Sequence, residues 1–299
     1  MNEYPPGKSR WHSPAEPGSQ AEKAFARASG ASLIPGNALR LLRNAKENYP
    51  AWLSALESAR DTIRFESYIF HNDQIGREFA EVLSRKAREG VRVRVIYDWF
   101  GSRGSTSRRF WKNLRISGVQ VRCYNPPRWD EPFAWLKRDH RKVITVDGQV
   151  GFISGLCVSQ KWRGDPSRGL EPWRDTGVEV KGPAVAFIDR AFEEIWAETG
   201  PPDPDQDRPV HEAARAGDVA VRIVAGSPGI AGLYRLDHLV ATLAEKRLWL
   251  TDAYFVGVTP YVQALGAAAR DGVDVRLLVP GSSDLPILSA LSRAGYQPL

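Results

Sequence analysis

An α/β fold made of two tandem units is what this 299-residue sequence predicts. Three observations carry that expectation. Short runs rich in β-branched residues alternate with helical patterns, the grammar of a sheet covered by helices. A segment dense in proline and acid, TGPPDPDQDRP, then interrupts everything near residue 200, because proline continues neither helix nor sheet. Beyond that break the earlier lettering returns.

The elements follow in order. The first thirty or so residues mix Pro, Gly, Ser and charge without period and read as a flexible tail, residues 1–32. From Ala38 the apolar run ALRLL leads into a helix from about Tyr49 to Arg60, then the strand TIRFESYIF. A helix with Ile75, Phe79, Val82 and Leu83 on one face precedes the strand VRVRVIY. Further strands are expected at VQVRCY, KVITVD and GVEVKG, and a helix from about Pro183 to Glu198, with proline tolerated in its first turn. The first domain is therefore placed at 33–200, a Pro-rich linker at 201–217 and a second unit at 218–299.

The repeat is the most informative feature of organisation. RFESYIF followed by AREGVRVRVIYDWFGS matches LWLTDAYFVG followed by ARDGVDVRLLVPGSSD, so Gly90 aligns with Gly272 and Arg94 with Arg276. Two copies of one strand, helix, glycine turn and strand predict a pseudo-twofold molecule with a cleft between halves.

Composition bounds the class. Hydrophobic residues at 42% and charged residues at 25% are globular values and disfavour disorder, collagen and coiled coil. The 41 Lys and Arg against 35 Asp and Glu leave a net charge of +6, which suits an anionic partner. Cys123 and Cys157 make neither a disulfide framework nor a zinc site, so a reducing, cytoplasmic compartment is expected. The N-terminus lacks the apolar core of a signal peptide, and no run approaches the roughly 18 apolar residues of a membrane span. Any work on membranes would be peripheral.

Of five histidines, one stands in a chemical pattern. The segment DHRKVITVDG places His140, Lys142 and Asp147 as His-x-Lys-x(4)-Asp. On a strand, residues two apart project from one face, which puts the imidazole beside the ammonium. Such a pair suits a phosphate ester, the imidazole attacking phosphorus while the lysine neutralises its oxygens. Chance produces the pattern about once per hundred chains of this kind.

This motif resembles the phospholipase D superfamily, and within it the bacterial cardiolipin synthases. The likeness extends from about Pro35 to the C-terminus through FESYIFHNDQIGREFAEVL, REGVRVRVIYDWFGS, the approach DHRK, WRDTGVEVKGPAV, DAYFVGVTPYVQAL and GVDVRLLVPGSSD. It implies tandem phospholipase D-like α-β-α sandwich domains. It implies further that two such motifs make one active site, one histidine forming a phosphohistidine and the other acting as general acid and base, without metal or other cofactor. By that resemblance His140 is the nucleophile, Lys142 the phosphate clamp and Asp147 a mainly structural aspartate. Asp175 resembles the carboxylate that holds the histidine's far nitrogen; its plainer reading is a turn residue before GVEV. Glu66 is a candidate for lining the cleft.

Two departures stand out. The small-residue loop after the motif reads Ser154, Gly155, Leu156, Cys157, with cysteine where the family carries asparagine, a far better donor. Ser154 and Gly155 are retained as phosphate-binding candidates. Cys157 takes the position of a substrate-binding residue, or that of a small buried hydrophobe. Secondly, Gly90 stands 50 residues before His140, so the same interval from Gly272 would put a second motif near 322, beyond Leu299. The second unit is accordingly expected to be incomplete: either this is a truncated or frameshifted version of a longer protein, or the second histidine comes from another copy or another chain.

The resemblance implies a phosphatidyltransferase that joins two phosphatidylglycerols into cardiolipin. Two alternatives stay open: a hydrolase or phosphodiesterase of the same chemistry, and an inactive remnant that binds phosphate or anionic lipid. The blocks favour anionic phospholipid over nucleic acid as partner. Trp129, Trp135, Lys137 and Arg138 are candidates for contact with the inner-membrane surface.

Overall fold

The computed structural model describes residues 19–127, 137–201, 213–226, 232–253, 255 and 257–279. The chain divides into two compact units, one formed by Ile34–Ala225 and the other by Met1–Leu33 with Gly226–Leu299.

The first unit is built on an eight-stranded mixed sheet. Its strands are β1 (Ile34–Arg43), β2 (Thr62–Ser67), β3 (Arg92–Asp98), β4 (Gln120–Tyr124), β5 (Lys142–Val146), β6 (Val150–Ser154), β7 (Thr176–Lys181) and β8 (Val219–Val221). They lie in the order β4-β3-β2-β5-β6-β7-β1-β8. β2, β3 and β4 run parallel, joined through α3 (Gln74–Arg88) and α4 (Arg108–Ile116), while β5 enters antiparallel against β2. The parallel pairs need helical crossovers, and the alternation of strand and helix patterns in the sequence already says so.

Helices cover both faces. On one side α2 (Asn44–Ser58), α3 and α4 bury Tyr49, Trp52, Phe79, Leu83 and Trp111 against Ile63, Phe65, Val93, Val95 and Ile144 of the sheet. Phe79 is the hub: its ring meets Tyr49, Trp52 and Phe65 edge-on at centroid distances of 5.6, 6.2 and 5.9 Å. On the other side α6 (Ala184–Glu198) sets Val185, Ile188, Phe192 and Ile195 against Val143, Val180 and Ile96.

The second described unit contains α1 (Gln20–Ser29), α7 (Gly232–Leu243), α8 (Thr259–Arg270) and the parallel pair β9 (Arg247–Thr251) and β10 (Asp274–Leu278). The repeat seen in the lettering has a structural counterpart. Each copy is a strand, a helix and a parallel strand, and Gly90 and Gly272 both adopt left-handed φ, 93° and 91°, at the helix-to-strand turn.

Several expectations need correction. The region read as a tail contains α1, whose N-cap Ser19 accepts a hydrogen bond from the Glu22 amide at 3.1 Å. β8 belongs to the first unit, which runs to Ala225 rather than ending at 200. Of the linker placed at 201–217, residues 202–212 lie outside the described residues. ALRLL is part of β1, and α2 starts at Asn44, before the expected Tyr49, because Ala45, Asn48, Tyr49, Trp52 and Leu56 form one buried face. Pro50, which is exposed, lies inside the same helix.

Truncating the hub, Phe79→Ala, is expected to cost about 3–5 kcal/mol of unfolding free energy. Leu41→Ala, at a position 68% exposed, should stay within about 0.5 kcal/mol. Urea denaturation of the two variants beside the unmutated chain checks the contrast.

Candidate active site

The His-x-Lys-x(4)-Asp segment spans β5 from end to end. At its far end Asp147 and Gly148 both have positive φ, 53° and 63°, and the Gln149 amide donates to the Val146 carbonyl at 3.0 Å. This is the geometry that Asp-Gly favours in a tight hairpin, here the one joining β5 to β6. The Asp147 carboxylate accepts from the amides of Arg60, Asp61 and Thr62 at 2.9, 2.8 and 2.7 Å. Its own amide donates to the Thr62 carbonyl at 2.9 Å. Asp147 thus fastens the hairpin to the start of β2, the structural role the resemblance implied.

At the other end His140 and Lys142 come together. The Lys142 ammonium lies 2.9 Å from His140 Nδ1 and also donates to the His140 carbonyl. A charged ammonium has no lone pair, so Nδ1 is the acceptor and the proton of the neutral ring sits on Nε2. The imidazole lies over Tyr68, ring centroids 4.5 Å apart, and the ammonium stands 5.3 Å from the same ring. His140 is exposed while Lys142 is 8% exposed.

The electrostatics follow from that placement. Burial of the ring against its surroundings, with the Lys142 charge beside it, lowers the His140 pKa to about 4. The imidazole is therefore neutral at pH 7, the state a nucleophile needs. Burial also lowers the Lys142 pKa, opposed by Cys157, Asp139, Asp175 and Asp98 around it. The nearby acids offset part of what burial costs the charged amine.

Asp175 makes the contacts of a turn residue, the plainer of its two readings. No hydrogen bond joins it to His140 among the described residues. Instead its carboxylate accepts from the Thr176 amide at 2.7 Å and from Trp162 and the Gly155 amide, while its own amide donates to Asn44 Oδ1 at 2.9 Å. It packs so closely on Gly155 that a Cβ there would stand 2.4 Å from its Oδ1. Asp175 braces the turn after β6, where Ser154 Oγ donates to the Leu156 carbonyl at 3.3 Å. Burial raises its pKa, against those donors and Lys142.

Cys157 and Glu66 do not line an accessible cleft. Cys157 is 1% exposed in the aromatic core, and burial pushes its thiol pKa up. Of the two readings of it, the small buried hydrophobe is the one seen. Glu66 is also 1% exposed, on the sheet face that α6 covers. Trp129 and Trp135 lie outside the described residues, and Arg138 is tied to Asp98 at 3.1 Å.

Three residues at this site escaped the sequence reading. Tyr68, in FESYIF, supports the imidazole. Asp98, fully buried at the end of β3, accepts from the Phe100 and Gly101 amides, from Arg138 and from the Asp139 amide at 2.8–3.1 Å, so it anchors the approach to the motif. Asp139 itself is buried beside Glu66. An acid ending a β-strand ahead of a Trp-Phe-Gly turn was the available signal for Asp98. Among the described residues no cluster of His, Cys, Asp or Glu has the grouping a metal ion needs.

Residues 52–196, which carry the sheet from β2 to β7 with α3, α4 and α6 and the His140–Lys142 pair, match the family described as "Cardiolipin synthase, PLD-like domain". This stretch of the chain belongs to that family. The particular relatives are cardiolipin synthases. The chain is 34% identical over 277 residues to Cardiolipin synthase A of Pseudomonas putida (strain GB-1), covering 91% of this chain and 57% of that protein. It is 34% identical over 264 residues to Cardiolipin synthase A of Pseudomonas fluorescens (strain SBW25), covering 87% and 54%. The chain thus spans little more than half the length of these relatives. The fold is also that of the crystal structure of phosphatidylserine synthase from Haemophilus influenzae Rd KW20, with a TM-score of 0.61 at 13% identity over 93% of this chain and 72% of that one. This likeness concerns the fold alone.

Two outcomes are expected. Asp147→Ala should lower stability by about 1–3 kcal/mol, since it strips three backbone amides of their acceptor, measurable by chemical denaturation. Lys142→Met should move the His140 titration upward from about 4 without reaching the ordinary 6.5, because burial remains after the charge is gone; NMR of the ring protons reads it. A depressed imidazole pKa also means that the folded state binds fewer protons than the unfolded one between about 4 and 6.5, so acidification through that window costs stability.

Proposed function

We propose that this domain transfers phosphatidyl groups through His140, in a cardiolipin synthase-like reaction. The single observation that carries the reading is the His140–Lys142 pair: a partly covered imidazole kept neutral by burial against its surroundings and by an ammonium 2.9 Å away. An incoming phosphodiester offers that ammonium a better acceptor than a neutral ring nitrogen. Lys142 then turns to the non-bridging oxygens, and His140 Nδ1 is released to take the ring proton, leaving Nε2 with its lone pair toward phosphorus.

Attack by Nε2 on the phosphorus of phosphatidylglycerol forms a phosphohistidine and breaks the bond to glycerol, which leaves with a proton. The primary hydroxyl of a second phosphatidylglycerol then attacks phosphorus, gives up its proton, and frees His140 with cardiolipin as product. The acid that protonates glycerol and then serves as base is assigned to a second histidine, the partner that the family resemblance implies and that no other His-x-Lys pair in this sequence supplies. Ser154 and Gly155, in the small-residue loop after the motif, are assigned to receive the phosphate oxygens. The domain would meet its lipid at the membrane surface, peripherally, since no described helix is long and apolar enough to cross a bilayer.

The test is to incubate the purified chain with phosphatidylglycerol vesicles beside His140→Ala and to follow cardiolipin, phosphatidic acid and glycerol by mass spectrometry. Cardiolipin made by the unmutated chain, and lost at least about 10³-fold in His140→Ala, is the expected result. Phosphatidic acid in place of cardiolipin overturns transfer in favour of hydrolysis. Absence of both products, with retained binding of the vesicles, overturns the enzymatic reading.

A further inference from the structure

Glu66 and Asp139 are the two buried acids that neither the fold nor the proposed chemistry uses. Glu66 lies on β2 directly opposite Val143 on β5 and Ile96 on β3. Residues opposite one another share a face, so Glu66 is enclosed by the apolar layer in which Val143 and Ile96 meet Val185, Ile188, Phe192 and Ile195 of α6. It is 1% exposed, and neither carboxylate oxygen has a hydrogen-bond donor. Asp139 is 4% exposed; its Oδ1 accepts from the Arg141 amide at 3.2 Å, while its Oδ2 is likewise without a donor. The two carboxyls adjoin each other.

Three orphaned oxygens on two neighbouring acids are a severe liability if both acids are ionised, because like charges then face each other in a dry layer. One proton removes the conflict, since a carboxylic acid donates and a carboxylate accepts. We propose that Glu66 and Asp139 share a single proton as an acid–carboxylate pair, and that this pair is a positioning device holding the chain immediately before His140. Asp139 is then gripped twice: its amide donates to Asp98 Oδ2 at 3.0 Å and its side chain accepts from Glu66.

The surrounding charges place the proton on Glu66. Burial raises the Glu66 pKa well above its ordinary value, and the neighbouring Asp139 adds to it, opposed by Arg141 and Lys142. Asp139 is also raised by burial, but its bond to Glu66, the Arg141 amide and the Arg141 charge work against the rise, with Asp98 adding to it. The other charges on this face are engaged with one another: Arg64 with Asp189 and Glu193, and Arg94 with Glu193. Arg138 is paired with Asp98. Loss of the shared proton at alkaline pH would set two carboxylates against each other and drive Asp139, and His140 with it, from its place.

The test needs no substrate, so it stands or falls independently of the proposed reaction. Infrared spectra of the chain labelled with ¹³C in its glutamate carboxyls should show, at neutral pH, the stretch of a protonated glutamic acid, absent in Glu66→Gln. The His140 titration, followed by NMR, should be unchanged in Glu66→Gln, whose amide can donate in place of the acid. It should shift by about one unit or more in Glu66→Ala, which frees Asp139. The melting temperature of the unmutated chain should fall as pH rises above the ordinary glutamate range, because the folded state keeps a proton that the unfolded state releases, and the fall should be shallower in Glu66→Gln. Absence of the protonated stretch overturns the proposal, as does an equal shift of His140 in the Gln and Ala variants. Should Glu66→Ala not fold, the infrared reading on the unmutated chain decides by itself.

Discussion

The register between β2 and β5 is the constraint on which the site depends. Ser67 faces Lys142 and Glu66 faces Val143 across that pair. Because side chains alternate, this register sends His140 and Lys142 to one side, over Tyr68, and keeps Glu66 under α6. A slip of one residue would exchange the faces and bury the imidazole partner among aliphatic side chains. Asp147 guards against that slip from the opposite end of the strand, with three amides of residues 60–62 bound to its carboxylate and its own amide bound to the Thr62 carbonyl. The spacing from Lys142 to Asp147 is thus one five-residue strand long, and the motif aspartate acts by holding the strand that carries the other two residues.

The charges around this strand are arranged by depth. Lys142 is sunk, and the acids Asp98, Asp139 and Asp175 lie near enough to favour its charged form. His140 is neutral because burial of part of its ring, and then the ammonium beside it, penalises a positive charge there. None of these acids bonds the imidazole among the described residues; Asp98, Asp175 and the motif Asp147 instead tie down backbone that the site stands on. Asp98 holds residues 100, 101 and 139, Asp175 holds Gly155 and Thr176, and Asp147 holds the start of β2. Acidic side chains here serve mainly as acceptors for strand-end amides, a role for which short carboxylates suit.

The same economy of design recurs in the second unit. A strand, a helix, a left-handed glycine and a parallel strand appear at β2-α3-β3 and again at β9-α8-β10. Gly90 and Gly272 explain why the lettering there is shared: the chain leaves each helix through a conformation that a side chain would strain.

How much of this was legible without coordinates depends on whether a feature is local. Strand and helix periods, the duplicated glycine turn and the His-x-Lys-x(4)-Asp spacing are set within a few residues, and the strands β2, β3, β4, β5 and β7 and the α3 and α6 helices stand where the patterns put them. The pairing of His140 with Lys142 follows from alternation alone. The Asp147 hairpin was equally available in Val-Asp-Gly-Gln, had the dipeptide been weighed as a turn. Short strands such as β6 and β8 were not, because they draw their stability from neighbours rather than from their own composition. The roles of Asp98, Asp139, Asp175 and Glu66 were decided only by tertiary structure. A carboxylate's partner is chosen by which distant backbone the sheet order brings beside it, and whether it keeps its charge is decided by how deeply the fold buries it.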